Sequence, residues 1–353
     1  MDIPLGQRLR ELPGPLLLTG HTGFKGAWMT FLLEQLEVPV VGYSLEPEKD
    51  SLFDRAKRTG AIPEVFADVR DYQSLEKFID EFKPSTIIHM AAQPLVLKSY
   101  ENPRETFDVN VMGTANVLDV ASKRNFVKAI IIVTTDKVYR NDNSGRAFIE
   151  TDPLQGKDPY SASKVGTEAV VAAWQQIAKV SGGPSIVSVR AGNVIGGGDF
   201  AKDRIIPDII RGVMTGNPVS VRNPNSTRPW QHVLDPCIGY VLTLEKSLTG
   251  LSYPNLNFGP RNMSLSVGEV VQYAKLFFPN LKMSFEASHQ YEDKESIRLN
   301  LDSDSSLKYL NWSPCFSQDE AVELSFAWWE KLINKKGEIK EICLQDIQRS
   351  LRK

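Results

Sequence analysis

Tyr160 and Lys164 stand four residues apart, a spacing that puts both side chains on one face of a helix. An ammonium beside a phenol favours the phenolate, so the pair predicts a tyrosine drawn down from its ordinary pKa of about 10 toward a useful general base. About 25 residues upstream, a strongly β-patterned run ends in Thr134-Thr135-Asp136-Lys137-Val138-Tyr139. Thr135 there offers a hydroxyl that can hydrogen-bond a substrate oxygen next to Tyr160. Near the start of the chain, Gly20-His21-Thr22-Gly23-Phe24-Lys25-Gly26 follows the apolar run Leu16-Leu17-Leu18 and opens a helical segment. Glycines so placed let the chain reverse, bring backbone N–H groups close to a pyrophosphate and pack helix against strand. The helix N-terminus adds partial positive charge. A P-loop is excluded, because Lys25 precedes the last glycine and Ala27 follows it in place of Ser or Thr.

These residues need a scaffold, and the first half of the chain supplies one in its rhythm. Short apolar, β-branched runs at 15–20, 38–44, 64–67, 85–92, 128–135 and 185–190 alternate with helical patterns at 24–36, 72–82, 103–124 and 159–180. That alternation predicts an α/β, Rossmann-type doubly wound parallel sheet, with catalytic groups gathered at the carboxyl ends of the strands. The last helix is punctuated by Asp158 as N-cap, Pro159 in its first turn and Gly182-Gly183 beyond its end. After residue 190 the pattern loosens, through Gly196-Gly197-Gly198 and a Pro-rich stretch at 222–229, into shorter helical segments. The expected organisation is a dinucleotide-binding domain over 1–190. A smaller C-terminal α/β lobe over 191–353 would follow, with some segments returning to the sheet. The charged tail 334–353 is expected to be helical and carries no evident task.

Composition excludes several classes. With 353 residues, 42% hydrophobic and 24% charged, the chain can bury a large core. A net charge of −2 with mixed signs gives no footprint for nucleic acid or a membrane surface. Three widely spaced cysteines, Cys237, Cys315 and Cys343, argue against both a disulfide framework and a zinc site. No metal is expected, and a reducing, cytoplasmic setting fits. The first 15 residues do not read as a signal peptide, and no apolar run reaches membrane-spanning length.

Taken together with Tyr160-Ser161-Ala162-Ser163-Lys164, two further strings carry a resemblance. They are Arg190-Ala191-Gly192-Asn193-Val194-Ile195-Gly196-Gly197-Gly198-Asp199 and Arg228-Pro229-Trp230-Gln231-His232-Val233. From about Gly20 to Pro314 the chain resembles the extended short-chain dehydrogenase/reductase superfamily, in its nucleotide-sugar branch. Within that branch it is similar to the CDP-glucose 4,6-dehydratases. The resemblance implies NAD as cofactor and a nucleotide-diphosphate sugar, CDP-glucose, as substrate. It implies oxidation at C4 with Tyr160 taking the hydroxyl proton, loss of water across C5 and C6, and return of the hydride to C6. Elimination needs an acid and a base with separated protonation states.

The related TDP-glucose enzymes carry an Asp-Glu pair where this chain has Asp136-Lys137. Asp136 would be the acid if burial raises its pKa, and Lys137 the base if burial and the nearby cations keep it neutral. The alternative for Lys137 is an ion pair with Asp136. By the same resemblance, Gly20, Thr22, Gly23, Phe24, Lys25 and Gly26 hold the cofactor's phosphates, and Asp68 and Val69 approach its adenine. Ala91, Ala92, Gln93 and Asn110 line its ribose and pyrophosphate, and Tyr160 and Lys164 touch its ribose. Arg228 and Arg298 match diphosphate contacts, Asn193 contacts the sugar or its phosphate, and Lys202, Arg204 and Arg211 lie in the segment over the nucleotide, where each serves equally as a surface charge. His89, Trp230 and His232 read as core.

The acidic residue expected about 20 positions after the glycine turn is absent, Gly42-Tyr43-Ser44 standing there. Open alternatives are a 4-epimerase, a dehydratase for another nucleotide sugar, and a non-catalytic NAD(P)-binding protein. The helices at 103–124 and 159–180 resemble those of a four-helix dimer interface, so a homodimer is expected, with a tetramer open.

Overall fold

The computed structural model describes residues 4–142, 144–202, 204–221, 224–250, 253–261, 265–285 and 299–353. The elements that position the site are β1 Leu16–Thr19, α1 Phe24–Gln35, β2 Val40–Ser44, β3 Glu64–Phe66, α2 Tyr72–Phe82, β4 Thr86–His89 and α3 Gly113–Ser122. They continue with β5 Ala129–Val133, α4 Pro159–Ser181, β6 Ser185–Ala191, α5 Leu234–Ser247, β7 Asn255–Phe258, α6 Gln318–Ile333 and α7 Ile339–Leu351. The seven strands form one sheet in the order β7-β6-β5-β4-β1-β2-β3, and every pairing is parallel.

Strands covered by helices on both faces are dominated by apolar residues, which explains Leu16-Leu17-Leu18 in β1 and Ala-Ile-Ile-Ile-Val in β5, both strands buried at every position. All six expected strands are present, five at or inside their expected bounds and the last, Ser185–Ala191, one residue longer than expected. The seventh comes from the segments after residue 190 expected to return to the sheet, at a position not singled out in the sequence. Asn255-Leu256-Asn257-Phe258 is short, and asparagine is disfavoured in strands. It forms a strand because the Asn257 amide is used, accepting from Tyr139 Oη at 2.7 Å and donating to the Phe148 carbonyl at 2.9 Å.

The expected helix at 103–124 is three consecutive pieces: Pro103–Phe107, a π-helical stretch Asp108–Met112 and α3. π-Bulges commonly mark functional positions, and this one carries Asn110 into the interior. In α4, Asp158 accepts from the Ser161 N–H at 2.9 Å while Ser161 Oγ accepts from the Asp158 N–H at 3.0 Å. This reciprocal cap, with Pro159 behind it and Gly182 at φ 71° at the far end, sets both ends of the helix.

The tail does have a task. Helix α7 buries Ile342, Cys343 and Ile347 in the same core as Trp28 and Phe31 of α1 and Trp328 and Trp329 of α6. It thereby backs the helix that follows the glycine turn. Among the described residues, no helix is long and apolar enough to cross a membrane.

Candidate active site

The strand order reverses between β1 and β4, and a crevice forms at the carboxyl ends of such a pair. The glycine turn closes one side of it. Gly20 has φ +72°, and a Cβ there would stand 2.7 Å from the Ala91 N, so the loop after β4 can lie against the turn only if residue 20 is glycine. A Cβ on Gly26 would stand 2.2 Å from the Gly20 carbonyl oxygen, which fixes how closely α1 packs. Gly23 is different. Its hypothetical Cβ meets nothing nearer than 3.4 Å, it is exposed, and no side chain caps α1 there. An uncapped helix start behind an open glycine suits a diphosphate. The residues present therefore fit a dinucleotide.

Thr22 is tied to the end of β2 through Ser44 Oγ at 2.7 Å and the Leu45 carbonyl at 3.0 Å. Phe24 packs toward Gly196, where a Cβ would touch its ring at 3.4 Å. Lys25 turns inward: its Nζ donates to Tyr240 Oη at 3.1 Å and lies 5.3 Å from that ring's centre. Burial, with the Arg204 charge, pushes its pKa down to about 8.

The catalytic candidates converge where β5 ends and α4 begins. Thr135 and Asp136 are each 6% exposed, Lys164 5% and Tyr160 9%. Thr135 Oγ1 donates to Asp136 Oδ1 at 3.0 Å and accepts from the Lys137 N–H at 3.3 Å. Desolvation raises the Asp136 pKa, opposed by the Lys137 charge, the Thr135 hydroxyl and the Arg228 charge. That is the direction an acid requires.

The tyrosine departs from expectation. Its pKa is pushed up to about 12, chiefly by burial, with the Thr135 hydroxyl working the other way. Lys164 donates to the Val133 carbonyl at 3.1 Å, and burial lowers its own pKa to about 8. Both groups are buried so deeply that neutrality is favoured in each, and the lysine charge is not among the influences that lower the phenol. Lys137 is half-buried. It acts on Asp136 through its charge at a distance; no direct ion pair joins them.

The structure places the remaining sequence-derived residues as follows. Asp68 is held by Arg70, with Nη2 to Oδ2 at 2.7 Å, and this pairing depresses its pKa. Val69 is buried against Gly113. Ala91 and Ala92 line the loop after β4, half-buried. Asn110 accepts from the Gln93 N–H at 2.8 Å and donates to the Gln93 carbonyl at 3.1 Å and Ser163 Oγ at 2.8 Å, so it ties that loop to α4. Asn193 is half-buried, its carbonyl accepting from the Gln231 N–H at 3.1 Å.

Arg204 binds Asp199 at 3.0 Å and acts electrostatically on Tyr160, and Arg228 acts likewise on Asp136. Lys202 is exposed, and Arg211 is tied to the Phe200 and Ala201 carbonyls and to Asp208. Arg298 lies outside the described residues. His89 is buried with both ring nitrogens bonded, to Thr19 at 2.7 Å and Thr114 at 3.2 Å, and burial drives its pKa down to about 3. Trp230 and His232 are core, as expected. Among the described residues, no three His, Cys, Asp or Glu side chains are grouped to hold a metal ion.

Three features escaped the sequence reading. Gly192 touches the site, since a Cβ there would lie 2.8 Å from Asp136 Oδ2. Tyr240 is the partner of Lys25. Glu168 forms a buried pair with Arg190 at 2.8 Å. Only the last left a signal: Tyr160, Lys164 and Glu168 recur at intervals of four.

The model of the "NAD dependent epimerase/dehydratase family" matches residues 16–259. The chain is 38% identical over 336 residues to the CDP-glucose 4,6-dehydratase of Salmonella typhimurium, covering 93% of each. It is 24% identical to a dTDP-glucose 4,6-dehydratase of Xanthomonas campestris pv. campestris, over 89% of this chain and 92% of that one. Its fold is shared with a dTDP-glucose 4,6-dehydratase of Bacillus anthracis in complex with NAD, with a TM-score of 0.76, 22% identity, and coverage of 90% and 97%. It is shared equally with a UDP-glucose-4-epimerase of Stenotrophomonas maltophila with bound NAD, with a TM-score of 0.79, 21% identity, and coverage of 92% and 100%. With a glycine turn fitted to a dinucleotide, a buried Tyr160 and Lys164 at the adjoining strand end, and these matches, the chain belongs to the NAD dependent epimerase/dehydratase family.

Proposed function

We propose that the protein is a CDP-glucose 4,6-dehydratase, forming CDP-4-keto-6-deoxyglucose. The observation that carries this beyond C4 oxidation is Asp136, buried beside Tyr160 with its pKa raised and its carboxyl held by Thr135. A 4-epimerase has no need of an acid to expel a C6 hydroxyl. The 38% identity to the Salmonella typhimurium enzyme supports the cytidine nucleotide.

NAD, when bound, supplies a hydride acceptor and later a donor. Thr135 orients the C4 hydroxyl, and Tyr160 takes its proton. Burial holds the phenol near pKa 12, and a positive charge bound beside it would lower it toward the working range. Lys164 holds the cofactor ribose. Asp136, kept protonated, gives its proton to the departing C6 hydroxyl. Lys137, half-buried on the same turn, is the residue assigned to the C5 proton. Arg228 and Asn193 receive the diphosphate and sugar from the lobe formed by 191–353, while 1–190 holds the dinucleotide.

The protein works as a homodimer through α4 and the helices at 103–122, where Phe107, Met112, Ile177 and Val180 are exposed apolar side chains. Three free cysteines suit a reducing cytoplasm.

The test is mass spectrometry of reactions with NAD and, separately, CDP-, UDP-, TDP- and GDP-linked sugars. Loss of one water from CDP-glucose alone is expected. A product of unchanged mass with inverted C4 would establish epimerisation and remove the elimination roles of Asp136 and Lys137. In Asp136→Asn, C4 oxidation persists while water loss falls by about 10²–10⁴; equal loss of both would refute the acid role.

A further inference from the structure

Glu168 and Arg190 are buried, 6% and 2% exposed, and paired through two contacts, Nε to Oε1 at 2.8 Å and Nη2 to Oε2 at 2.9 Å. A buried bidentate pair gains geometric specificity more surely than stability. What it grips is the turn that carries the chemistry. On the near side of that turn, Thr134 Oγ1 donates to Glu168 Oε1 at 2.6 Å; on the far side, Arg190 Nη1 donates to Tyr139 Oη at 2.8 Å. Between Thr134 and Tyr139 lie Thr135, Asp136, Lys137 and Val138. The turn's own backbone bonds are long: Val138 N–H to the Thr135 carbonyl at 3.4 Å and Tyr139 N–H to the Asp136 carbonyl at 3.3 Å.

The grip extends to Lys164. Glu168 is one helical turn beyond Lys164, which donates to the Val133 carbonyl at 3.1 Å. Consecutive residues of the strand end, Val133 and Thr134, are thus held by side chains one turn apart on α4. Ser188 Oγ adds a bond to Glu168 Oε2 at 2.8 Å, and Arg190 Nη1 a bond to the Glu150 carbonyl at 3.0 Å.

We infer that the Glu168–Arg190 pair is a positioning clamp, which fixes the turn bearing Thr135, Asp136 and Lys137 against the helix bearing Tyr160 and Lys164. Its kinetic consequence rests on the dehydratase reading above. Misplacement of a catalytic group by about 1 Å can cost 10²-fold, and elimination depends on the turn's side chains more than C4 oxidation does. Loosening the clamp therefore slows water loss selectively.

Replacing Glu168 or Arg190 alone strands a buried charge and endangers folding, so the test uses Thr134→Val and Tyr139→Phe, which leave the pair intact. Amide hydrogen exchange of the NAD-loaded protein needs no substrate. The clamp predicts exchange at residues 136–139 faster by about tenfold in each variant, with α4 beyond Val171 unchanged. Unchanged exchange there overturns the clamp whatever the substrate. In single turnovers with CDP-glucose, water loss, followed by quenched mass spectrometry, should slow about tenfold or more, and further than the rise at 340 nm, which depends on this turn only through Thr135. Oxidation and elimination falling together would mark Thr134 and Tyr139 as merely structural and refute the positioning role. Failure of the parent to dehydrate any nucleotide sugar instead refutes the dehydratase reading and leaves the exchange result to decide the clamp.

Discussion

Thr135→Val removes one hydroxyl at nearly constant volume, and the structure sets what should follow. In the parent, burial raises Tyr160 to about 12 and the Thr135 hydroxyl is the leading influence that opposes it. A hydrogen bond to a charged group contributes about 1.5–3 kcal/mol, which at 1.36 kcal/mol per pH unit corresponds to about 1–2 pH units. Tyr160 must lose a proton to act, so raising its pKa moves the acid limb of the rate profile upward by that amount. Below that limb, C4 oxidation should fall by about 10–150-fold, and at high pH most of the loss should be recovered.

The same hydroxyl lowers Asp136. Its removal leaves Asp136 more fully protonated, so the acid for elimination is not weakened. The assay is stopped-flow absorbance at 340 nm with CDP-glucose and NAD between pH 6 and 10, with Tyr160→Phe as the inactive control. A rate reduced equally at every pH, with the acid limb unmoved, would refute the assignment of Thr135 as the group that tunes Tyr160.

Two further outcomes follow from packing and charge. Gly192→Ala would place a methyl 2.8 Å from Asp136 Oδ2 and 3.3 Å from Pro229 Cγ; the carboxyl must shift, so water loss should fall at least about tenfold by loss of alignment while far-UV circular dichroism is unchanged, and full elimination activity would disprove the contact. Asp346, buried on α7 with Oδ2 unpartnered, is raised by burial from 3.8 to about 7, with Lys331 and Arg349 opposing. The unfolded chain ionises first, so this stability is present below about pH 4 and lost as pH rises to about 7. Asp346→Asn should therefore gain up to about 4 kcal/mol over the parent at pH 8 and little at pH 4. Urea melts giving equal differences at pH 5 and pH 8 would refute it.

Local sequence was enough for the parts of this protein that depend on local rules. Apolar runs at strand length, the Asp158-Pro159 start and Gly182 stop of α4, and the glycines of the phosphate turn each state their conformation within a few residues. The four-residue interval of Tyr160 and Lys164 likewise placed both on one face of α4, and both are buried there.

What required the tertiary structure is whatever depends on the dielectric and on partners distant in the chain. Spacing alone suggested that Lys164 would lower Tyr160; depth of burial, which no spacing encodes, raises the phenol and lowers the lysine instead. The inward turn of Lys25 to Tyr240 joins residues 215 apart, and the Tyr139–Asn257 bond that gives β7 its polar anchor spans 118. The Glu168–Arg190 pair and the fit of Gly192 to Asp136 are decided by how β5, β6 and α4 meet. Hydrogen bonds and steric contacts of that kind exist only once the sheet has assembled, and so no window of the sequence contains them.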